Sequence, residues 1–270
     1  MPQTPPEFTE PLIDIGANLS HESFSDDLDA VLEQAEQAGI EKLVVTGTNT
    51  QSSHRAIELC EQFPHLLVST VGLHPHEASS FNPEMEDAFR ELARHDCVKA
   101  IGETGLDFNR NYSPHEDQEK AFRAQLALAV ELNLPLFLHQ RDAHERFMPI
   151  LQEYRGQLGK VVVHCFTGSA GELEDYLDLD LHIGITGWVC DERRGYSLHP
   201  LLKKIPANRL MLETDAPYLM PRNISPKPKS RRNEPANLLY VLQMVADCLE
   251  MDMNSLAKQT SSTARDFFAL

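Results

Sequence analysis

Val98-Lys99-Ala100-Ile101-Gly102-Glu103-Thr104-Gly105-Leu106-Asp107 is the stretch on which the fold turns. An apolar, β-branched run leads to Gly102, and the chain then delivers one carboxylate, Glu103, into a glycine-flanked bend. The pattern predicts a buried strand whose C-terminal tip presents an acidic side chain. Three distant stretches repeat it. Pro135-Leu136-Phe137-Leu138 ends in His139, Val161-Val162-Val163 ends in His164, and Leu210-Met211-Leu212 ends in Glu213-Thr214-Asp215. Four apolar runs thus hand over a metal-type ligand at the same end.

Outward from these runs, strand and helix signals alternate. Further strands are expected at 12–14, 42–46, 66–73 and 181–185. Helices are expected at 25–39, 52–62, 84–94, 115–133, 143–154, 171–177, 198–204, 235–249 and 253–268. Leu28, Val31, Leu32 and Ala35 recur at helical spacing before a stop at Gly39, and Phe122, Leu126, Ala129 and Val130 share one helical face. Pro235 suits a first-turn position. Eight strands, each followed by a helix, predict a parallel sheet closed into a (β/α)8 TIM barrel. A doubly wound open sheet is the structural alternative, but it leaves several ligand-bearing tips far apart, whereas a barrel points them into one mouth. One domain over 1–270 is expected, with 1–10 a loose N-terminal extension. The Pro- and Arg-rich stretch 218–234 is long enough to shape the mouth.

Composition narrows the function. The 270 residues are 41% hydrophobic and 24% charged, as in ordinary soluble proteins. No run approaches the roughly 20 apolar residues of a membrane helix. The polar, Pro-rich start has no basic and apolar leader pattern, so a cytoplasmic location and no membrane partner are expected. The five cysteines are widely spaced, with no C-x-x-C pair, and read as reduced small hydrophobes. A formal charge of −17 excludes a broad cationic footprint for duplex DNA. A nucleic-acid substrate must then be held by a local cluster of Arg, Lys and metal.

Glu103, His139, His164 and Asp215 form a hard-to-borderline divalent metal set. Two histidines and a carboxylate suit Zn²⁺, Mn²⁺ or Fe²⁺, while Mg²⁺ would lean on Glu103, Asp215 and water. An ion so held lowers the pKa of bound water towards ~7 and polarises a phosphoryl or carbonyl oxygen, which makes metal-assisted hydrolysis the expected reaction. Glu103 and Asp215 are the catalytic candidates, with Asp215 orienting or deprotonating the water. A lone histidine after an apolar run is more often a core or loop residue, but His139 and His164 stand in equivalent positions beside two carboxylates. His182, inside a strand pattern without such company, reads as structural, and His21, His54, His65, His95, His115 and His199 as surface or helix residues. His74 and His76 flank a proline that stiffens a turn, and they are candidate substrate contacts at the mouth. Arg193, Arg194, Arg231 and Arg232 lie on loops after the last two strands and are candidate phosphate contacts. Glu213 reads as an ion-pair partner and Asp107 as a cap. A nucleophile elbow, a P-loop, a dinucleotide fingerprint and H-E-x-x-H are all missing from the sequence.

Five ordered motifs carry a resemblance: Gly72-Leu73-His74-Pro75-His76, Ile101-Gly102-Glu103-Thr104-Gly105-Leu106-Asp107, Val163-His164-Cys165-Phe166-Thr167-Gly168, Leu212-Glu213-Thr214-Asp215-Ala216-Pro217-Tyr218-Leu219 and Arg232-Asn233-Glu234-Pro235-Ala236. Together they resemble the TatD-type metal-dependent deoxyribonucleases, which are amidohydrolase-like (β/α)8 hydrolases, over nearly the whole chain from Leu12. The resemblance implies a cytoplasmic metal-dependent nuclease acting 3′→5′ on single-stranded DNA and RNA, with Glu103, His139, His164 and Asp215 at the metal site. One departure stands out. Most of the wider family opens with D-x-H-x-H on the first strand, where this chain has Asp14-Ile15-Gly16-Ala17-Asn18. The expectation is one firmly held metal and a second, weak one, with Mg²⁺ as the ion and Mn²⁺ or Zn²⁺ as substitutes. A monomer is expected. A small-molecule amidohydrolase or lactonase on the same barrel is the alternative. A binding protein with a dead site is the third reading, and the four retained ligands argue against it.

Overall fold

The computed structural model describes residues 8–270. Eight strands, β1 (Leu12–Ala17), β2 (Ile40–Val45), β3 (Leu67–Val71), β4 (Val98–Asp107), β5 (Leu136–Arg141), β6 (Val161–Val163), β7 (His182–Ile185) and β8 (Leu210–Leu212), lie side by side in chain order and pair in parallel. Between and after them run α1 (Leu28–Gln37), α2 (Thr50–Gln62), α3 (Pro83–Leu92), α4 (His115–Leu132), α5 (His144–Arg155), α6 (Ala170–Asp178), α7 (His199–Leu202), α8 (Leu238–Leu249) and α9 (Met253–Phe268). Ala17 bridges Ala216 in parallel, Asp215 N donates to Gly16 O at 2.8 Å, and Asn18 N donates to Ala216 O at 2.7 Å, which closes the ring. Across this seam the Asp14 carboxylate accepts from Thr214 N at 2.9 Å and from the Thr214 hydroxyl. The result is a (β/α)8 barrel.

Side-chain alternation sorts the strands, interrupted by register shifts in β1 between Asp14 and Ala17 and in β4 between Ile101 and Thr104. Ile13, Ile15, Val44, Val68, Ala100, Phe137, Val162 and Met211 point inward and form a core of their own, separate from the larger shell between strands and helices. The last turn of α9 closes the N-terminal end of the barrel with Ala264, Phe267 and Phe268. Two residues beyond an inward apolar side chain, the same parity brings His139 above Phe137, His164 above Val162 and Glu213 above Met211 at the C-terminal mouth.

Where a bend was expected at Glu103, β4 runs on through ten residues to Asp107, with a register shift against β5 between Ile101 and Thr104. Gly102 and Gly105 make this possible. Their φ angles are +142° and +147°, and a Cβ would stand 2.1 Å from Phe137 O and 1.9 Å from His139 O. Only glycine lets β4 press so close to β5. The helix expected at 198–204 shrinks to the four residues of α7, after a 3-10 turn at Gly195–Ser197. The N-terminal extension is also not loose where it is described. Phe8 packs against the core, and Thr9 N and Glu10 N donate to Asn254 Oδ1 at 3.1 and 3.3 Å. Residues 1–7 of that stretch lie outside the described residues.

His182 sits on the barrel floor, edge-on to Phe267 with centroids 4.9 Å apart, and its Nδ1 faces Val161 O at 3.3 Å. Burial, with help from the Arg209 charge, lowers its pKa to about 4. The neutral ring is therefore favoured in the folded state, while the unfolded chain takes up a proton below about 6.5. Stability is then full above that value and falls as pH drops towards 4, by up to roughly 3 kcal/mol. His182→Leu should flatten this part of the profile, as read from denaturant midpoints between pH 4 and 7.

Candidate active site

The mouth gathers side chains from most of the strands around one buried carboxylate. Glu103 Oε1 lies 2.9 Å from His139 Nδ1, 2.8 Å from His164 Nε2 and 3.2 Å from His74 Nε2. His74 comes from the loop after β3, where it opens a 3-10 turn at Pro75–Ser80 and accepts from His76 N at 3.1 Å. The sequence suggested a substrate contact for His74, but the structure places it inside the carboxylate cluster. His76 instead reaches Asp107, with Nε2 to Oδ2 at 2.7 Å.

The electrostatics follow from burial and neighbours. Burial opposes ionisation of Glu103, yet the charges of His164 and His74 and the His139 hydrogen bond hold its pKa well below the usual carboxylate range. Burial likewise opposes protonation of His164, and Glu103 and Glu213 overcome it, raising the pKa. Desolvation, against the pull of Glu103, holds His74 at about 4. Two imidazoles thus favour a proton and one disfavours it, around a firmly ionised carboxylate.

Asp107 was read as a cap, and it is one. Its Oδ1 accepts from Asn109 N at 3.0 Å and Arg110 N at 2.9 Å. Its Oδ2 also faces the site, 2.7 Å from His76 Nε2 and 3.4 Å from His139 Nε2. Strand parity carried the missed signal, because Glu103, Gly105 and Asp107 share a face once β4 is continuous. Asp107→Asn should weaken divalent-metal affinity about 10- to 100-fold by releasing the ring of His139. Titration calorimetry with Mn²⁺ would measure this, and unchanged affinity would refute the link.

The other half of the mouth is built on β1 and β8. Asp215 follows β8 with φ +55°, and its Oδ1 accepts from Asn18 Nδ2 at 3.0 Å. Burial raises its pKa to about 7, with Glu103 and Glu213 adding to the rise and His164 opposing it. Asn18 therefore acts as a donor that orients Asp215. Glu213 is fully buried, accepts from Cys165 N, and lies 3.3 Å from His164 Nδ1. It also lies directly against the first-strand departure. A Cβ on Gly16 would meet Glu213 Oε2 at 2.5 Å, and a Cβ on Gly184 would meet Oε1 at 2.5 Å. Glu213 fills the space a side chain at position 16 would need.

The donor set fits a divalent ion. His74, Glu103 and His139 can each offer a ligand atom within 4.8 Å of the others, and His164 adds a third imidazole on the same oxygen. His139 turns Nδ1 to Glu103 Oε1 at 2.9 Å and Nε2 to Asp107 Oδ2 at 3.4 Å, and the second contact is not a hydrogen bond, which leaves that edge of the ring able to face a cation.

The four arginines are not equivalent. The buried carboxylate of Asp191 holds Arg194 at 3.0 Å, Arg193 at 3.8 Å and Arg222, which the sequence did not single out, at 3.1 Å. Arg231 is exposed. Arg232 pairs with Asp27 at 2.7 Å and Glu234 at 2.8 Å over the ring of Phe24. That ties the loop before α8 to the loop before α1 and leaves its charge already neutralised.

A (β/α)8 barrel that brings three imidazoles onto one buried carboxylate at its C-terminal mouth has the build of a metal-dependent hydrolase. Residues 13–269 match the family model described as TatD related DNase. The 3′-5′ ssDNA/RNA exonuclease TatD of Pectobacterium parmentieri is 51% identical over 96% of this chain and all of its own length. The protein of the same name from a Rahnella strain is 53% identical over 96% of this chain and 98% of its own. Among solved structures, a TatD family hydrolase from Entamoeba histolytica superposes with TM-score 0.87 at 28% identity, covering 97% of this chain and 99% of its own. The chain belongs to the TatD related DNase family, and it is a nuclease. No helix among the described residues is long and apolar enough to cross a membrane.

Proposed function

We propose that this protein shortens single-stranded DNA and RNA from the 3′ end, hydrolysing one phosphodiester bond at a time. The observation that carries this reading is the convergence of His74, His139 and His164 on Glu103 Oε1, with Asp215 across the mouth. The close similarity to proteins named as 3′-5′ exonucleases on single strands supports the polarity and the substrate.

Glu103, His139 and His164, joined by His74, would hold the metal firmly, and Asp215 offers an oxygen-rich second position that suits Mg²⁺. When bound, the metal supplies Lewis acidity for water and charge neutralisation for the phosphate. The chain's own residues do the rest. Asp215, with Oδ1 fixed by Asn18, takes the proton of the attacking water. Glu213 and Asp107 fix the rings of His164 and His139. His76 and the exposed guanidiniums of Arg193 and Arg194 bind phosphate, with Arg231 at the rim. A small-molecule amidohydrolase with a first-strand histidine pair has no room here, because Glu213 occupies the space beside Gly16.

The test is digestion of a 5′-labelled single-stranded oligonucleotide with Mg²⁺ and with EDTA, beside His164→Ala. A metal-dependent ladder shortening from the 3′ end, absent in the variant, is expected. An intact oligonucleotide under Mg²⁺ and Mn²⁺ would overturn the assignment.

A further inference from the structure

Beside the metal-site cluster, the loops after β5, β6 and β7 line an open recess of about 220 Å³, walled by Gln140, Arg141, Asp142, Phe166, Glu172 and Trp188 among others. Gln140 and Arg141 directly follow His139, so the recess and the cluster share a wall. It is larger than a packing gap and smaller than a drug-sized pocket.

The walls are fixed in advance. Gln140 Nε2 donates to the Tyr176 hydroxyl at 2.8 Å and to Glu172 Oε1 at 3.3 Å, while Gln140 Oε1 accepts from Ala143 N at 3.1 Å. Glu172 and Ser169 form a reciprocal cap at the start of α6, so that helix end is already satisfied. Trp188 is held by the guanidinium of Arg194, 4.1 Å from the ring centroid, and Arg194 is itself anchored on buried Asp191.

Arg141 is different. It stands two residues beyond His139 on β5 and so on the same face. Among the described residues no carboxylate lies within 4.0 Å of its guanidinium, although the chain carries a net charge of −17. Its guanidinium lies 5.8 Å from the Trp188 ring. An aromatic wall beside an unpaired cation is the arrangement by which proteins hold unpaired nucleotides, the ring against the base and the cation on the backbone.

We infer that this recess receives the unpaired base of a nucleotide adjacent to the bond being cleaved, with Trp188 against the base and Arg141 on its phosphate. The inference rests on the nuclease reading and deepens it. A base held in a duplex cannot enter a recess, so the subsite itself selects single strands, and it does so by shape and stacking rather than by sequence.

Trp188 is the only tryptophan in the chain, so its fluorescence reports directly on the recess. The protein is titrated in EDTA with a decathymidylate and with a ten-residue abasic strand of equal charge, and binding is followed separately by anisotropy of a 5′ label. Quenching by decathymidylate alone is expected, and tighter binding of decathymidylate than of the abasic strand by on the order of tenfold. Trp188→Ala and the milder Trp188→Phe should shrink that difference, most in alanine, whereas Arg141→Gln should weaken both strands alike. Equal quenching by both strands, or no quenching at saturating decathymidylate, would overturn the subsite. Wild-type enzyme with Mg²⁺ is assayed in parallel on bis(p-nitrophenyl) phosphate, a diester without a base. Cleavage there, together with no quenching by decathymidylate, rejects the subsite and leaves the nuclease reading standing, while absence of cleavage counts against the nuclease reading itself.

Discussion

Glu103→Gln should reduce metal-dependent hydrolysis of single-stranded DNA by on the order of a thousandfold or more, with metal content falling in parallel. The reason is the position of one atom. Glu103 Oε1 is the point on which His74, His139 and His164 all converge, at 3.2, 2.9 and 2.8 Å. An amide keeps the shape but removes the charge that organises the three rings. A bound metal contributes several kcal/mol of charge stabilisation to phosphoryl transfer, and each ~1.4 kcal/mol is a factor of ten. The variant also leaves His139 and His164, which favour protons in the ion-free site, without their shared counter-charge. Initial rates on a labelled oligonucleotide and metal content by mass spectrometry would check this. A variant that keeps both its metal and most of its rate would displace Glu103 from the centre of the site.

The second large effect runs against the simplest repair. Gly16→His restores the first histidine of the family pattern, and it should damage the protein. A Cβ there stands 2.5 Å from Glu213 Oε2 and 3.1 Å from Phe137 Cζ, and Glu213 is held against it because Cys165 N donates to its other oxygen and His164 Nδ1 lies 3.3 Å from Oε2. Overpacking of this kind costs about 1–3 kcal/mol, and an imidazole needs more room than a methyl. At about 2–4 °C per kcal/mol for a chain of this size, even Gly16→Ala should lower Tm by several degrees. Displacing Glu213 also frees His164 Nδ1, which should weaken metal binding about 10- to 100-fold. Thermal melts and metal titrations read both effects. A Gly16→His protein with unchanged Tm and a second tightly bound metal would show that the space is adaptable after all.

Much of this was legible in the chain. Apolar runs ending in Glu103, His139, His164 and Asp215 were enough to place the strands, and their common polarity was enough to demand a barrel. What could not be read was which atoms would meet. His74 looked like a turn residue because its partner lies on another strand, 29 residues on. Asp107 was hidden by taking Gly102 and Gly105 for a bend, when their positive φ serves close strand packing. Arg232 counted as a free charge because Asp27 is some two hundred residues away in sequence. Gly16 looked like a missing ligand, whereas its role is to make room for Glu213. In each case sequence gave the residue's own chemistry correctly and was silent on its neighbour.

The seam between β1 and β8 has a consequence for how the site holds together. Neighbouring strands elsewhere are joined by ladders of two or more residue pairs, but this junction has a single parallel bridge, reinforced by Asp14 reaching to Thr214. A closed ring parts where the fewest bonds must break, and local opening is drawn from such places. Gly16, Asn18, Glu213 and Asp215 all lie on that join, while the histidine cluster around Glu103 lies on the opposite, better-laced arc. Breathing of the ring would therefore pull Asn18 from Asp215 and loosen Glu213 from His164, while Glu103, His74 and His139 stay together. The half of the site that carries Asp215 is also the half that acts as the clasp of the barrel.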